Sequence, residues 1–274
     1  MSSLPYELIS LDLDLTLLDA DHHISTRNLD AVRRVRELGA QVMITSGRMY
    51  YTTLPYQREL GIDGPTIAYN GAFIKSEGTG EIWLNAGLDV EFARELVDFC
   101  TREQLQLNYY YDDVLYIEKA NKWADLYNAR TGAMPVPVGD LHTLLHHSPT
   151  KLLIIDEPAK IIELRDTLGA HFADRAYVTI SNAEYLEFMP LGVDKGKALE
   201  LVAGRLGIAR EKVIAFGDAE NDIPAIDWAG TGVAMANAKP ITQAAADIVA
   251  PHHAEDGVAI VLEEIFGLVP TEVK

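Results

Sequence analysis

The chain is poor in cysteine and in positive charge, and it has no long apolar run. Cys100 is the one cysteine among 274 residues, so no disulfide framework can form and a reducing compartment is the expected setting. No apolar stretch approaches the roughly 18 residues that a membrane-spanning helix needs. The opening residues, Met1-Ser2-Ser3-Leu4-Pro5-Tyr6-Glu7, lack the basic start and apolar core of a secretory signal. A cytoplasmic protein is expected. Lysine and arginine number 23 against 41 acidic residues, a formal net charge of −18. Such a field repels nucleic-acid backbones and anionic bilayers and argues against both as partners. It would also repel a phosphorylated ligand unless metal, lysine or backbone amides compensated locally. The His-His pairs at 22–23, 146–147 and 252–253 have no matching Cys or His at ligand spacing, and are expected to be exposed or packed.

What the chain does contain is alternation. Hydrophobic residues make up 48%, enough for one large domain or two modest ones. Apolar strand-like runs at 8–11, 41–44, 213–216, 232–236 and 247–249 are separated by helical stretches, the first spanning 25–39 with Ser25 as its cap. Strands alternating with helices predict a parallel sheet. Residues 65–70 are expected to be a further strand of it. A hairpin is predicted over 72–75 and 81–84. The pattern then changes to a helix over 89–104 and antiparallel strands at 105–111 and 114–119 around an Asp112-Asp113 turn. A strand, a helix begun by Pro158, and two more strands near 177–180 and 185–189 follow. The predicted fold is therefore α/β, a Rossmann-like parallel-sheet core of residues 1–84 and 191–274 with an inserted α+β cap domain at 85–190. The run Tyr109-Tyr110-Tyr111 is expected to be a half-buried strand of that insert rather than a stacking platform.

Two acidic clusters stand at strand ends: Asp12-Leu13-Asp14-Leu15-Thr16, and Gly217-Asp218-Ala219-Glu220-Asn221-Asp222. Either alone could be a helix cap or a turn, for which aspartate is favoured. Ligands of open parallel sheets bind beyond the carboxyl ends of strands, so the two clusters can share one crevice. Four carboxylates there would repel unless a cation compensated them, and oxygen ligands with room for water and phosphate suit Mg2+.

Four separated motifs are similar, in order, to those of the haloacid dehalogenase superfamily of aspartyl-phosphate hydrolases. They are the Asp12 cluster, Thr45-Ser46-Gly47-Arg48, Lys195 and the Asp218 cluster. Tyr69-Asn70-Gly71-Ala72, Val193-Asp194-Lys195-Gly196-Lys197, the run from Gly232 to Ala238, and Glu255-Asp256-Gly257-Val258 resemble the Cof-type branch, subfamily IIB. The resemblance implies that Asp12 is the nucleophile. Asp14 is then the general acid and later the base, a role that needs a partly raised pKa. Superfamily dehalogenases lack the second aspartate, so Asp14 favours phosphoryl chemistry. Asp14 shares a side with Asp12 if the segment stays extended. Ser46 and Gly47 are implied as the phosphate cradle, with Thr45 turned away, and Lys195 as the fixed charge beside the nucleophile. Asp218, Asp222, Asp12 and Asp14, the last through its main-chain carbonyl, are implied to hold Mg2+, with Asn221 supporting the phosphate or Lys195. Glu220 and Lys197 are expected to face solvent. Asn70 is implied at the rim of the site, while Asn-Gly on its own terms is the leading two-residue hairpin turn. Position 15 departs from the commonest pattern, which has Gly where Leu15 stands.

The implied function is hydrolysis of a small phosphorylated metabolite, a sugar phosphate or a relative of one, with selectivity set by the cap. Two alternatives remain at this stage: a phosphosugar mutase of the same superfamily, and a non-enzymatic phosphate-binding module. The sequence does not fix the substrate or the oligomeric state.

Overall fold

A computed structural model describes residues 4–269. The chain divides into two compact units: the part up to Leu84 together with the part from Asp194, and Asn85–Val193. In the first unit five strands pair in parallel in the order Ile248–Ala250, Thr231–Met235, Val213–Gly217, Leu8–Leu11, Gln41–Ile44. Leu8–Leu11 is buried throughout, as expected of a parallel strand covered on both faces. Its side chains alternate between two cores. Ile9 and Leu11 pack with Val32, Val35, Val258 and Leu262. Leu8 packs with Leu199, Val202, Val213 and Ala225 on the other face. Helices Thr26–Glu37 and Gly257–Phe266 thus cover one side, and Lys195–Leu206 and Ile223–Trp228 the other. The Ser25 hydroxyl accepts from the Asn28 amide at 3.1 Å and starts the first helix there. All five strands run the same way, so their carboxyl ends open on one edge.

Two local features differ from the sequence expectation. Pro65–Ala68 joins the parallel sheet through a single bridge, Thr45 to Ile67. Its main pairing is antiparallel to Phe73–Ser76, which with Ile82–Asn85 completes a three-stranded sheet. The chain reverses between Ala68 and Phe73 because Tyr69, Asn70 and Gly71 all take positive φ, at 50°, 54° and 102°. Asn70-Gly71 does lie in a hairpin connection, of four residues rather than two. The second difference is at Leu13–Leu17, which is not extended. It coils into a tight turn in which Leu15 takes φ 56°, ψ 17°, while Asp14 itself stays extended at φ −67°, ψ 123°.

The second unit is a six-stranded sheet in the order Tyr177–Asn182, Tyr185–Met189, Lys151–Ile155, Gln106–Tyr111, Val114–Ile117, Val136–Pro137. Pairing is antiparallel except at the last, parallel, contact. Asp112 and Asp113 form the predicted turn with φ 51° and 57°, the mirror-image geometry that suits a two-residue hairpin. Helices Val90–Glu103 and Pro158–His171 bury Phe92, Leu96, Ile161 and Leu164 against Leu107, Tyr109, Leu152 and Phe188. The sheet also buries an ion pair, Lys151 Nζ to Glu187 Oε1 at 3.0 Å. Tyr109 and Tyr110 are wholly inside, so neither forms an exposed platform.

Gly71 is the tightest link between the turn at 69–72 and the helix that begins at Lys195. A Cβ there would sit 2.4 Å from the Asp194 carbonyl oxygen, at a φ that side chains resist. We expect Gly71→Ala to lower stability by about 1–3 kcal/mol, read as a lower urea midpoint at unchanged slope. Gly204→Ala, inside the same helix with nothing within 4 Å, should be neutral or stabilising by up to about 1 kcal/mol. Equal stability of the Gly71 variant and the wild type would show that the close approach is not a constraint.

Candidate active site

The site is built at the carboxyl edge of the parallel sheet. Asp12 follows the strand Leu8–Leu11, and its amide donates to the Phe216 carbonyl at 3.1 Å, which ties it to the neighbouring strand. Lys195 is the first residue of helix Lys195–Leu206, capped by Asp194, whose carboxylate accepts from the Lys197 amide at 2.8 Å. The Lys195 ammonium is 1% exposed and donates to Asp12 Oδ1 at 2.8 Å and to Asp222 Oδ1. Burial would strip its proton, but Asp12 and Asp222 outweigh that and hold its pKa above the usual lysine value. Asp12 is pushed well above the carboxylate range, first by burial and then by the Asp222 charge, with Lys195 opposing.

Asp222 Oδ2 accepts from the amides of Asp218 and Ala219 at 3.0 and 2.9 Å, which folds 217–222 back on itself. Gly217 makes room for this: a Cβ there would lie 2.3 Å from that of Asp222. Asp218 accepts from the Thr16 hydroxyl at 3.3 Å and from Asn237 Nδ2 at 3.5 Å. Burial and the Asp222 charge push its pKa up to about 7. One carboxylate oxygen from each of Asp12, Asp218 and Asp222 lies within 4.8 Å of the others. The three hard oxygen donors are compatible with a divalent cation.

Asp14 lies outside that cluster. Arg48 grips it with two bonds, Nε to Oδ2 at 2.8 Å and Nη2 to Oδ1 at 2.5 Å. Burial raises the Asp14 pKa, but the bonds and charge of Arg48 more than offset this and hold it below the usual value. That is the reverse of the raised value expected for a general acid. Arg48 is held in turn by Tyr56, whose ring centroid is 5.2 Å from the guanidinium carbon, and by His22 Nδ1, 3.2 Å from Nη2. The four carboxylates Asp12, Asp14, Asp218 and Asp222 face two cations, Lys195 and Arg48, so the assembly carries an excess negative charge.

Ser46 is buried, and its hydroxyl accepts from the Arg48 amide at 3.1 Å, closing the turn that carries Gly47. The Thr45 hydroxyl points back into the sheet and bonds that of Ser10 at 2.6 Å. Asn70 lies against this turn. Its amide donates to the Ser46 carbonyl at 3.1 Å, and its Oδ1 would be 2.8 Å from a Cβ on Gly47. The same Oδ1 accepts from Asn221 Nδ2 at 2.8 Å, so Ser46, Gly47, Asn70 and Asn221 form one continuous rim. Glu220 and Lys197 lie outward, in exposed ion pairs with Lys239 and Asp194. Sequence reasoning missed two residues that the structure puts at the site. Arg48 completes the Thr45-Ser46-Gly47-Arg48 motif and was assigned no role. Asn237 sits in the run after Gly232, and its side chain donates to the Leu15 carbonyl at 2.9 Å.

Residues 9–262 match the family of haloacid dehalogenase-like hydrolases. The chain is 31% identical over 98% of its length, and over the whole of the relative, to the 5-amino-6-(5-phospho-D-ribitylamino)uracil phosphatase YitU of Bacillus subtilis. It is 28% identical to the HMP-PP phosphatase of Serratia proteamaculans, across 86% of this chain and 85% of that one. A haloacid dehalogenase-like hydrolase from Bacteroides thetaiotaomicron superposes with a TM-score of 0.89 at 31% identity, covering 95% of this chain and 100% of that one. The chain belongs to the haloacid dehalogenase-like hydrolases, as an enzyme of the phosphatase class in the Cof-type branch that its motifs resemble.

Proposed function

We propose that the enzyme is a Mg2+-dependent cytoplasmic phosphatase that hydrolyses small phosphate monoesters, sugar or polyol phosphates in particular, through an aspartyl phosphate on Asp12. The observation that carries the reading is the separation of the two aspartates of one short motif. Asp12 shares a buried cluster with Lys195, Asp218 and Asp222, while Asp14 stands outside it, on Arg48. The first group lies beside the cation cluster that a nucleophile attacking phosphorus needs, and the second is left free of it to serve the leaving group. The relative YitU, named for a phosphorylated ribitylamino compound, supports a phosphate on a polyol chain as the substrate class.

In this reading an Asp12 oxygen attacks phosphorus and the bond from phosphorus to the leaving oxygen breaks. Asp14, carrying a proton, gives it to that departing oxygen, so an alcohol rather than an alkoxide leaves. The ionised Asp14 then takes a proton from water, whose oxygen attacks the phosphoryl group. The bond to Asp12 breaks and phosphate is released. Lys195 stays protonated throughout and stabilises the charge that builds on the phosphoryl oxygens. The Ser46 hydroxyl, the amides around Gly47, and the Asn70–Asn221 pair hold the phosphate. Asp12, Asp218 and Asp222, with the main-chain carbonyl of Asp14, are the groups that would hold Mg2+. Bound there, the ion would neutralise the excess negative charge and align the phosphoryl oxygens. None of these groups is suited to read the alcohol, so selectivity is assigned to the insert at 85–190.

Exhaustive chelation should abolish release of phosphate from a panel of sugar phosphates, and added Mg2+ should restore it. Full activity in the chelated enzyme would remove the metal from the proposal. Release of an isomer in place of phosphate would reassign the enzyme to phosphoryl transfer within its substrate.

Acid quenching followed by intact mass measurement separates the roles of the two aspartates. Asp12→Ala should form no phosphoenzyme and turn over almost nothing. With an aryl phosphate, whose leaving group needs no proton, Asp14→Asn should still phosphorylate Asp12. It should then lose the phosphate more slowly by roughly 10² to 10⁴-fold, the usual effect of a lost general base. A phosphorylated Asp12→Ala protein, or normal turnover in Asp14→Asn, would mean the roles are wrongly assigned.

A further inference from the structure

Leu15 breaks two ordinary rules at one position. Its backbone takes φ 56°, ψ 17°, in the left-handed region that disfavours most side chains. Its side chain is an exposed leucine, 43% open to water, whereas the neighbouring Leu13, Leu17 and Leu18 are buried. An exposed leucine by itself is ordinary. On a strained backbone it is not, because neither feature serves the fold: glycine would relieve the backbone, and a polar residue would suit the exposure. Strain of this kind persists only where the surroundings over-determine it, and it clusters at functional sites.

The surroundings here are those of the site. Asp14, just before Leu15, is bound by Arg48 through two bonds, and Thr16, just after it, donates its hydroxyl to Asp218 at 3.3 Å. The Leu15 carbonyl accepts from Asn237 Nδ2 at 2.9 Å, and the same nitrogen lies 3.5 Å from Asp218 Oδ2. The backbone of Leu15 is thus pinned among groups of the site, while its side chain is left open to solvent. It is an apolar group one residue from the aspartate assigned to the leaving alcohol. A phosphorylated alcohol has an apolar part to match, the C–H groups of the carbons next to the ester oxygen.

We propose that Leu15 is a specificity-determining residue: its side chain forms an apolar wall against the first carbons of the leaving alcohol and favours esters with a carbon chain over the shortest one. The inference rests on the phosphatase reading and deepens it, adding a contact from the core unit for the carbons nearest the phosphate. The strained leucine is kept because it takes apolar ligand surface out of water, which neither glycine nor asparagine does as well.

The test uses the full-length enzyme with Mg2+ and the series methyl, ethyl and propyl phosphate. The reacting groups are alike, so kcat/KM along the series reports contact with carbon. Leu15→Asn tolerates the backbone but offers a polar side chain, Leu15→Gly removes the side chain, and Leu15→Met keeps an apolar one. We expect kcat/KM of the wild type to rise about twofold per added carbon, as for a partly covered CH2. Leu15→Asn and Leu15→Gly should flatten the series, and Leu15→Met should keep the rise. The urea midpoint of Leu15→Gly should be no lower than that of the wild type, because the strain relieved offsets the added freedom of the unfolded chain. A flat series in the wild type, an unchanged rise in Leu15→Asn, or a lowered midpoint in Leu15→Gly would overturn the inference. Affinities for ethyl-, propyl- and butylphosphonate, which cannot be hydrolysed, are measured in parallel by calorimetry. If the wild type releases phosphate from none of the esters, the phosphatase reading fails instead. A rise in phosphonate affinity with chain length that Leu15→Asn abolishes would still support the wall, and one that it leaves intact would overturn it.

Discussion

Lys195 is a charged amine with almost no access to water, and a buried charge costs several kcal/mol unless anions close by answer it. Two do, from different places in the chain: Asp12 at the end of the strand Leu8–Leu11, and Asp222 in the turn after Val213–Gly217. The ammonium therefore acts as a clamp that holds two strand ends at a fixed separation. The turn 217–222 is shaped by the remaining oxygen of Asp222 on the amides of Asp218 and Ala219, which leaves Asp218 aimed into the same space. If the lysine charge were removed, the carboxylates would face one another without an internal cation. The clamp is thus also what makes the cluster compact enough for an external one.

The same motif supplies two carboxylates whose environments push them apart. Asp12 is buried among like charges and driven upward; Asp14 is drawn downward by a bidentate arginine. Carboxylates sharing one environment would compete for one proton and one cation. The two carboxylates thus answer to different cations, Asp12 to Lys195 and Asp14 to Arg48.

The parallel order of the main sheet was legible because apolar runs of four or five residues alternate with capped helices, and strands such as Leu8–Leu11 are buried on both faces. The Asp112-Asp113 turn was legible for a similar reason: local chemistry and tertiary structure ask for the same thing there. The pairing of Pro65–Ala68 was not, since its apolar run suits either a parallel or an antiparallel neighbour. The reversal depends on positive φ at Tyr69 as well as at Asn70 and Gly71, and tyrosine gives no sign of that. At the site, the residue types that form the acidic cluster announce themselves as Asp-x-Asp and Gly-Asp-x-x-Asn-Asp. Arg48 does not, because an arginine after Thr-Ser-Gly reads as part of a turn until its partner, 34 residues away in sequence, is known. Asn237 is legible only through what it holds.

What it holds is the least favourable residue of the site. Leu15 takes a left-handed conformation that disfavours a non-glycine residue by roughly 1–2 kcal/mol, and its side chain is 43% exposed, so burial returns little. Glycine would adopt the same backbone without that penalty. The geometry is held from two sides: within the loop the Leu18 amide closes on the Leu13 carbonyl at 2.9 Å, and from outside Asn237 donates to the Leu15 carbonyl at 2.9 Å. Asn237 also accepts from the His253 amide at 3.1 Å, and His253 begins a short turn that leads toward the helix Gly257–Phe266. The loop that carries Thr16 and Asp14 is therefore fixed by its own closing bond and, through one asparagine, by the chain segment around His253.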